Sequence, residues 1–278
     1  MTTYSWQLLR AGSFRLDGGA MFGIIPKVLW SRLTTPDDLN RITLQTNCLL
    51  LRADDGSRTV IIETGFGDKF NDKDRNIFAM EDRCLLDALA ESDVSAEEID
   101  AVILTHLHFD HAGGTTTLDQ NGKPVNNFPR AEFFVQQTEW EDALANKSTM
   151  SKTYLKENLL PIQEKVVPVN GSTEILPGIH VEPIPGHTWG QQLVRFKDAK
   201  GVVAFAGDVM PTASHAGSAY NMAYDVIPYT NMQSKKDYLQ KACDNEWRII
   251  PPHEPGKAVL QVKPHPERKG EFILQDCE

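Results

Sequence analysis

Residues 105–114 of the chain read THLHFDHAGG and place three imidazoles and one carboxylate within six positions. These side chains belong to His106, His108, Asp110 and His111. Imidazole and carboxylate are metal ligands, and they gain little from lying side by side in an apolar core. The chain has only 8 His in 278 residues, so chance does not explain this density. We therefore predict a metal site here, in preference to a solvated turn that happens to be rich in histidine.

The segment before this stretch predicts a strand. Residues 101–104 read AVIL, a short apolar run that suits a strand buried on both faces. The same pattern, a predicted strand that ends close to a metal-competent side chain, occurs four times: 101–104 before His106, 180–184 before His187, 202–206 before Asp208, and 248–250 before His253. A rigid strand end fixes the position of a ligand, while the loop that follows supplies its direction.

The remaining periodicity predicts further strands and helices, and it leaves 147–162 open between helical and irregular structure. The predicted strands are 4–16, 41–52, 58–63 and 131–136, and the predicted helices are 81–91, 137–146 and 230–245. Strands 41–52 and 58–63 flank the hairpin-like sequence DDGS. We expect one compact domain over 1–278, with an apolar loop at about 18–34.

The apolar loop contains AMFGIIPKVLW at residues 20–30, which Gly23 and Pro26 interrupt. These two residues argue against a regular helix or a central strand. The apolar side chains of this loop must be shielded from water. There are three alternatives: the loop packs on the core, lines a substrate entrance, or packs on a second subunit. The last alternative leads us to expect a homodimer.

Composition limits the partners and the location. A net charge of −10 argues against a nucleic-acid partner, because such proteins usually carry a basic surface. The four cysteines are scattered without a C-x-x-C pair, which predicts reduced thiols. There is no signal-peptide pattern at the N-terminus and no apolar run of membrane-spanning length, so we expect a cytoplasmic protein without a membrane partner.

The candidate ligands are too many for one tetrahedral ion, and they predict two divalent metals. They are His106, His108, Asp110, His111, His187, Asp208 and His253. Nitrogen and oxygen donors without a thiolate favour zinc and leave manganese, iron or cobalt open.

This ligand series resembles the metallo-β-lactamase superfamily, and the sequences at 17–23 (DGGAMFG), 106–114 and 207–212 (GDVMPT) are similar to its N-acyl-homoserine lactonase branch. The resemblance implies an α/β, four-layer αββα sandwich with the metals at one edge of the sheets. It also implies that His106, His108 and His187 hold one ion, that Asp110, His111 and His253 hold the other, and that Asp208 bridges them.

The implied activity is hydrolytic opening of a lactone ring, with N-acyl-homoserine lactones as the leading small-molecule substrates. A hydroxide between the two metals would attack the carbonyl, and Asp110 would transfer the proton. The alternatives are an organophosphate (phosphotriester) hydrolase with the same site and a non-catalytic metal-binding module. True β-lactamases, glyoxalase II and the nucleases of the superfamily match less well.

Candidate substrate contacts come from the apolar loop and from the histidine-rich stretch. Met21, Phe22, Ile24 and Phe109 would form an apolar wall for an acyl chain, unless they are ordinary core residues. His215 would contact the leaving group or lie behind a ligand.

Two positions depart from the superfamily pattern. Glu63 replaces the usual Asp of an Asp-Thr-Gly motif, so we expect the partner of a ligand His to reach from a different backbone position. Pro211 occupies the position where some lactonases carry a Tyr three residues after the bridging Asp. Tyr220 or Tyr224 would replace that Tyr only if the loop folds back.

Overall fold

The computed structural model describes residues 2–277, in which two β-sheets are flanked by helices. The strands are β1 (Tyr4–Asp17), β2 (Arg41–Ala53), β3 (Thr59–Ile62), β4 (Ala101–Ile103), β5 (Thr116–Leu118), β6 (Pro124–Asn126), β7 (Glu132–Gln136), β8 (Val166–Val169), β9 (Thr173–Leu176), β10 (Ile179–Pro183), β11 (Gln192–Asp198), β12 (Gly201–Phe205), β13 (Arg248–Ile249), β14 (Leu260–Pro264) and β15 (Phe272–Asp276). The helices are α1 (Gly18–Phe22), α2 (Lys27–Trp30), α3 (Asp72–Phe78), α4 (Leu85–Ala90), α5 (Phe109–Ala112), α6 (Gln137–Leu144), α7 (Lys156–Leu159) and α8 (Pro228–Asp244). Short 3-10 helices occupy Ala96–Glu98, Gly113–Thr115, Leu160–Lys165, Gly207–Val209 and Ala213–His215.

The two large sheets differ in strand direction. The first has the order β1-β2-β3-β4-β7-β8, antiparallel from β1 to β3 and parallel from β3 to β8. The second has the order β15-β14-β13-β12-β11-β10-β9, and only its β12/β13 pair is parallel. Strands β5 and β6 form a separate hairpin.

Alternation along the strands sorts apolar side chains into layers. In β2, Leu49 and Leu51 belong to the core between the sheets, together with Phe205 of the second sheet. Their neighbours Cys48 and Leu50 instead pack with the side chains of α4. Full burial of one such leucine stabilises the fold by about 1.5–3 kcal/mol.

On the outer face of the second sheet, Ala204 and Ile249 pack against Tyr238 and Leu239 of α8. Helices therefore cover the outer face of each sheet, and the order of the layers is αββα. This confirms the predicted four-layer fold.

Local sequence effects move several helix boundaries away from the predicted ones. The helix predicted over 81–91 begins only at Leu85, and the last predicted helix begins early, at Pro228. Proline suits the first turn of a helix because a backbone N–H at this position would have no acceptor within the helix. In 147–162, which the sequence left open between helical and irregular structure, α7 forms and a 3-10 helix begins at Leu160.

The apolar loop contains two single-turn helices, α1 and α2, which the sequence did not predict. Asp17 caps α1 by accepting a hydrogen bond from the Ala20 amide (2.8 Å). Gly23, with φ of 54°, ends α1, and Pro26 caps α2. Gly23 and Pro26, which were predicted to interrupt regular structure, thus separate the two helices. Neither helix extends through the whole apolar loop.

Within residues 2–277, no helix is both long and apolar enough to cross a membrane. All four cysteines are free thiols, as predicted.

Candidate metal centre

The seven predicted ligands meet at one edge of the two sheets, and every one of them is less than 10% exposed. They come from loops that follow strands. The histidine-rich stretch follows β4, and His187 lies in the loop after β10. Asp208 lies in the 3-10 helix after β12, and His253 follows β13. The four strand ends that the sequence singled out therefore converge on one place.

The first ligand group consists of His106, His108 and His187, whose ligand atoms all lie within 4.8 Å of one another. His187 Nε2 lies 2.9 Å from His108 Nδ1. On its other side, His187 Nδ1 lies 2.9 Å from Asp225 Oδ1, so the ring donates its proton to that carboxylate. Nε2 of His187 then presents a lone pair to the other members of the group.

The second ligand group consists of Asp110, His111, Asp208 and His253, again with all ligand atoms within 4.8 Å. His111 Nδ1 donates to Glu63 Oε2 (2.8 Å), and His253 Nδ1 donates to the carbonyl oxygen of Gln45 (2.9 Å). Both Nε2 atoms are therefore acceptors when the rings are neutral, yet they lie only 3.1 Å apart. Two facing lone pairs repel, and a cation bound to both removes that repulsion.

Asp208 spans the two groups. Its Oδ1 lies 3.1 Å from His253 Nε2 and 3.4 Å from His111 Nε2, whereas its Oδ2 lies 3.4 Å from His187 Nε2. One carboxylate oxygen faces each group, which is the arrangement that a bridging ligand requires.

Buried atoms without partners show that the residues fit metal ions. His106 Nε2 and Asp208 Oδ1 are fully buried and form no hydrogen bond within residues 2–277, although such atoms are normally paired. Burial lowers the pKa of His106, and the neighbouring imidazoles lower it further, so the ring stays neutral as a ligand must. Burial raises the pKa of Asp208, but His253, His111 and His187 outweigh it and hold the net pKa well below its usual value. The two groups together fit two divalent metal ions.

Glu63 is the carboxylate behind the second ligand group. It follows β3 in the left-handed region (φ 66°), a conformation that non-glycine residues rarely adopt. Besides its contact with His111, its Oε1 accepts a hydrogen bond from the Thr105 amide (2.7 Å). Glu63, the residue at the position of the usual Asp, therefore reaches a ligand histidine itself. That it does so from a different backbone position stays a prediction.

Sequence reasoning missed two further buried carboxylates. Asp225 orients His187, and Glu139 accepts hydrogen bonds from the Leu107 amide (3.0 Å), the Tyr154 hydroxyl (3.0 Å) and the Thr188 hydroxyl (2.6 Å). Burial raises the pKa of Glu139. Glu139 thereby joins the loops of both chain segments that carry the first ligand group.

A cavity opens over the ligands and has a largely apolar wall. It is lined by His108, Asp110, His187, Asp208 and His253, and by Leu16, Met21, Phe78, Phe109, Ser148, Thr149, Met150, Thr153, Met222 and Tyr224. Of the predicted substrate residues, Met21 and Phe109 lie on this wall. Phe109 stacks on Phe78 with ring centroids 5.7 Å apart. Phe78, Met150 and Met222 were not predicted, because they come from distant segments without a local pattern.

Three predicted substrate residues lie elsewhere. Ile24 is 87% exposed, because the turn at Gly23 carries the chain out to the surface. Phe22 is buried behind the wall, between the rings of Trp30 and His215. His215 is fully buried and does not line the cavity. Both of its ring nitrogens contact protein groups, so neither is available to a substrate.

The loop after Asp208 does fold back over the ligands. The carbonyl oxygen of Pro211 accepts a hydrogen bond from the His253 amide (2.8 Å). Tyr224 lines the cavity, whereas Tyr220 packs edge-on against Phe22 with centroids 6.1 Å apart. The structure thus brings Tyr224, and not Tyr220, to the wall of the cavity.

Two adjacent buried ligand groups that share one carboxylate and open into a cavity define a metal-dependent hydrolase. A family model described as "Metallo-beta-lactamase superfamily" matches residues 41–253, and the chain belongs to that superfamily.

Similar proteins agree with this assignment. An N-acyl homoserine lactonase from a Bacillus species is 28% identical over 213 residues, covering 72% of this chain and 74% of the relative. The crystal structure of a probable metal-dependent hydrolase from Staphylococcus aureus is 28% identical, with a TM-score of 0.84 over 99% of this chain and 98% of that one. AidC, a dizinc quorum-quenching lactonase, shares the fold at 19% identity, with a TM-score of 0.79 over 100% of this chain and 98% of that one.

Proposed function

We propose that this hydrolase opens lactone rings and that N-acyl-homoserine lactones are its leading substrates. The observation that carries the proposal is the cavity, in which the carboxylates Asp110 and Asp208 face an apolar wall containing Met21, Phe109 and Met222. An N-acyl-homoserine lactone is divided in the same way, into a polar lactone ring and an apolar, flexible acyl chain. The relatives named N-acyl homoserine lactonases, at 28% and 26% identity over more than two thirds of the chain, support the same substrate class.

Two divalent metals, when bound, would supply an activated water and polarise the ester carbonyl. We assign the seven predicted ligands to them, with Asp208 shared, and we keep zinc as the preferred metal because the donors are nitrogen and oxygen.

Asp110 is the residue to which we assign proton transfer. Its carboxylate lines the cavity, and its Oδ2 lies 3.5 Å from His253 Nε2. A carboxylate placed between the attacking water and the leaving oxygen accepts a proton from the first and returns it to the second. Ring opening needs this transfer because an alkoxide is a poor leaving group.

Tyr224 is the residue to which we assign a hydrogen bond to the substrate. Its side chain lines the cavity, and its hydroxyl forms no hydrogen bond with the described residues. Burial, with smaller contributions from Asp17 and Asp110, raises its pKa to about 12. The hydroxyl therefore keeps its proton at neutral pH and is free to donate it to an ester oxygen.

The apolar wall would hold the acyl chain. Each buried methylene contributes about 0.8 kcal/mol, so a chain that reaches Met21 and Phe109 is held more tightly than a short one. We expect the KM for homoserine lactones to fall as the acyl chain lengthens, until the cavity is filled.

The test is a substrate panel on protein of measured metal content. Homoserine lactones with short and long acyl chains, a thioester and an aryl phosphotriester are compared by acid release and product analysis. We expect the highest kcat/KM for the lactones, with the open-chain N-acyl homoserine as the product. Absence of lactone turnover, together with phosphotriester hydrolysis, would overturn the proposal.

That second activity is the alternative, and the aromatic part of the wall favours it. Phe78 and Phe109 both line the cavity, and an aryl leaving group would pack against their rings. The same panel separates the two activities.

We also propose a cytoplasmic homodimer. Several apolar side chains between α1 and β2 are exposed, namely those of Ile24 (87%), Val28 (65%), Leu33 (51%) and Leu39 (69%). Sedimentation at micromolar concentration tests the dimer, and a monomeric mass would contradict it.

A further inference from the structure

Three aromatic rings stack in a row beneath the cavity wall. Phe22 lies between Trp30 (centroids 5.3 Å apart, planes at 5°) and His215 (4.6 Å, 9°). All three side chains are at most 1% exposed. His215 thus belongs by stacking to the N-terminal apolar segment, although it lies seven residues after Asp208 in the chain.

Both ring nitrogens of His215 are engaged, and by different segments. Nε2 lies 2.9 Å from the carbonyl oxygen of Met21. A carbonyl only accepts, so Nε2 carries the proton and donates it. Nδ1 is then the acceptor, and it receives the hydrogen bond of the Thr212 hydroxyl at 2.8 Å.

These two hydrogen bonds connect the cavity wall to the metal ligands. Met21 lines the cavity. Thr212 directly follows Pro211, whose carbonyl oxygen accepts the His253 amide. A short path of contacts therefore runs from Met21 through His215 and Thr212 to a ligand of the second group, and His215 is its only side chain that touches both segments.

We propose that His215 is a positioning residue: it fixes Met21, and with it the acyl-chain wall, relative to the loop that carries Asp208. This inference rests on the proposed function, because it assigns the wall to substrate binding. His215 is in neither ligand group and does not line the cavity, so it acts only through the residues it holds.

The neutral form of His215 performs this role. Burial lowers its pKa to about 3, and the nearby ammonium of Lys235 contributes in the same direction. The ring therefore keeps one donor and one acceptor over the whole working pH range, which is what the two contacts need.

Another hydrogen bond holds α1 against the loop that follows Asp208, and its amide can report whether α1 stays in place. The Ala223 amide donates to the carbonyl oxygen of Ala20 at 2.8 Å. If His215 fixes α1, its loss exposes this amide to exchange with solvent.

Two matched variants separate the hydrogen bonds from the ring stack. His215→Phe keeps an aromatic ring beside Phe22 and removes both hydrogen bonds, whereas His215→Gln keeps an amide donor for the Met21 carbonyl. We expect His215→Phe to raise the KM for a long-chain lactone by about 5- to 30-fold, with kcat and metal content unchanged. We expect His215→Gln to restore part of that loss.

Hydrogen exchange at the Ala223 amide is measured on the same variants without substrate. We expect faster exchange in His215→Phe than in the wild type, even if no lactone is a substrate, so this measurement survives a failure of the proposed function. Unchanged exchange would overturn the inference, and so would a loss of bound metal or a fall in kcat with constant KM. If His215→Phe does not fold, Thr212→Val removes one of the two hydrogen bonds, and the same changes are expected at smaller size.

Discussion

The two ligand groups are built alike at their centres but differ in what supports them. Each contains a histidine backed by a buried carboxylate: Asp225 behind His187 and Glu63 behind His111. Glu63 directly follows β3 and also binds the backbone after β4, so it belongs to the rigid edge of the first sheet. Asp225 lies in the loop beside Tyr224, and its Oδ2 accepts the Met222 amide (3.0 Å).

This difference separates the two backing carboxylates: the first sheet fixes Glu63, whereas Asp225 shares its loop with residues of the substrate wall. Met222 and Tyr224 line the cavity, and Asp225, which directly follows Tyr224, orients His187. A change in the 222–225 loop therefore reaches both substrate and metal. A change at Glu63 reaches only the metal, because Glu63 does not line the cavity.

The largest effect is expected where the two groups meet. Asp208→Asn removes the charge from the one carboxylate that faces both groups, and we expect a loss of activity well above the about 10- to 100-fold typical of residues behind a metal ligand. Metal analysis should show fewer than two ions per chain. A variant with two ions and near-normal kcat would show that Asp208 does not join the groups.

The comparison itself is tested by Asp225→Asn against Glu63→Gln. Each exchange keeps the size of the side chain and removes one charge behind one histidine, so we expect about 10- to 100-fold weaker binding of one metal in each variant. Only Asp225→Asn should also raise the KM for long-chain lactones, because its loop carries wall residues. Equal KM values in the two variants would remove the distinction between the groups.

A smaller effect is expected at Tyr224. Tyr224→Phe removes one neutral hydrogen bond to substrate, and we expect kcat/KM to fall by about 2- to 10-fold with metal content unchanged. Because the pKa of this hydroxyl is raised to about 12, it is protonated at all pH values below that. The shape of the pH–rate profile between pH 6 and 10 should therefore be the same in both proteins, and a lost alkaline limb in the variant would contradict the assignment.

The smallest effect is expected at Thr105, whose hydroxyl oxygen lies 3.1 Å from His106 Nδ1. An uncharged partner orients an imidazole less strongly than a carboxylate does. We expect Thr105→Val to weaken binding of the first metal by about 2- to 5-fold. A loss as large as that of Asp225→Asn would show that carboxylate backing is not what distinguishes His187.

The sequence carried enough information for the buried strands and the ligand convergence because both follow local rules. Apolar runs that end at His106, His187, Asp208 and His253 predicted buried strands, and the ends of these strands meet at one edge. The four-layer order followed from the family resemblance, and the burial pattern confirms it.

The supporting residues were beyond reach because their partners are distant in the chain. Asp225 lies 38 residues from His187, and Glu139 lies 49 residues from Thr188, in segments with no motif of their own. The prediction that Ile24 lines the substrate wall was wrong for a related reason. Its apolar character predicted burial, but the turn at Gly23 determines on which side of α1 the chain continues.

The most direct test of the central claim is a titration of metal-free protein with Zn²⁺, with bound metal and lactone hydrolysis measured at each step. Two adjacent sites that share Asp208 predict binding of two ions per chain, with full activity only after the second. Saturation at one ion per chain with full lactone hydrolysis would contradict the two-metal account.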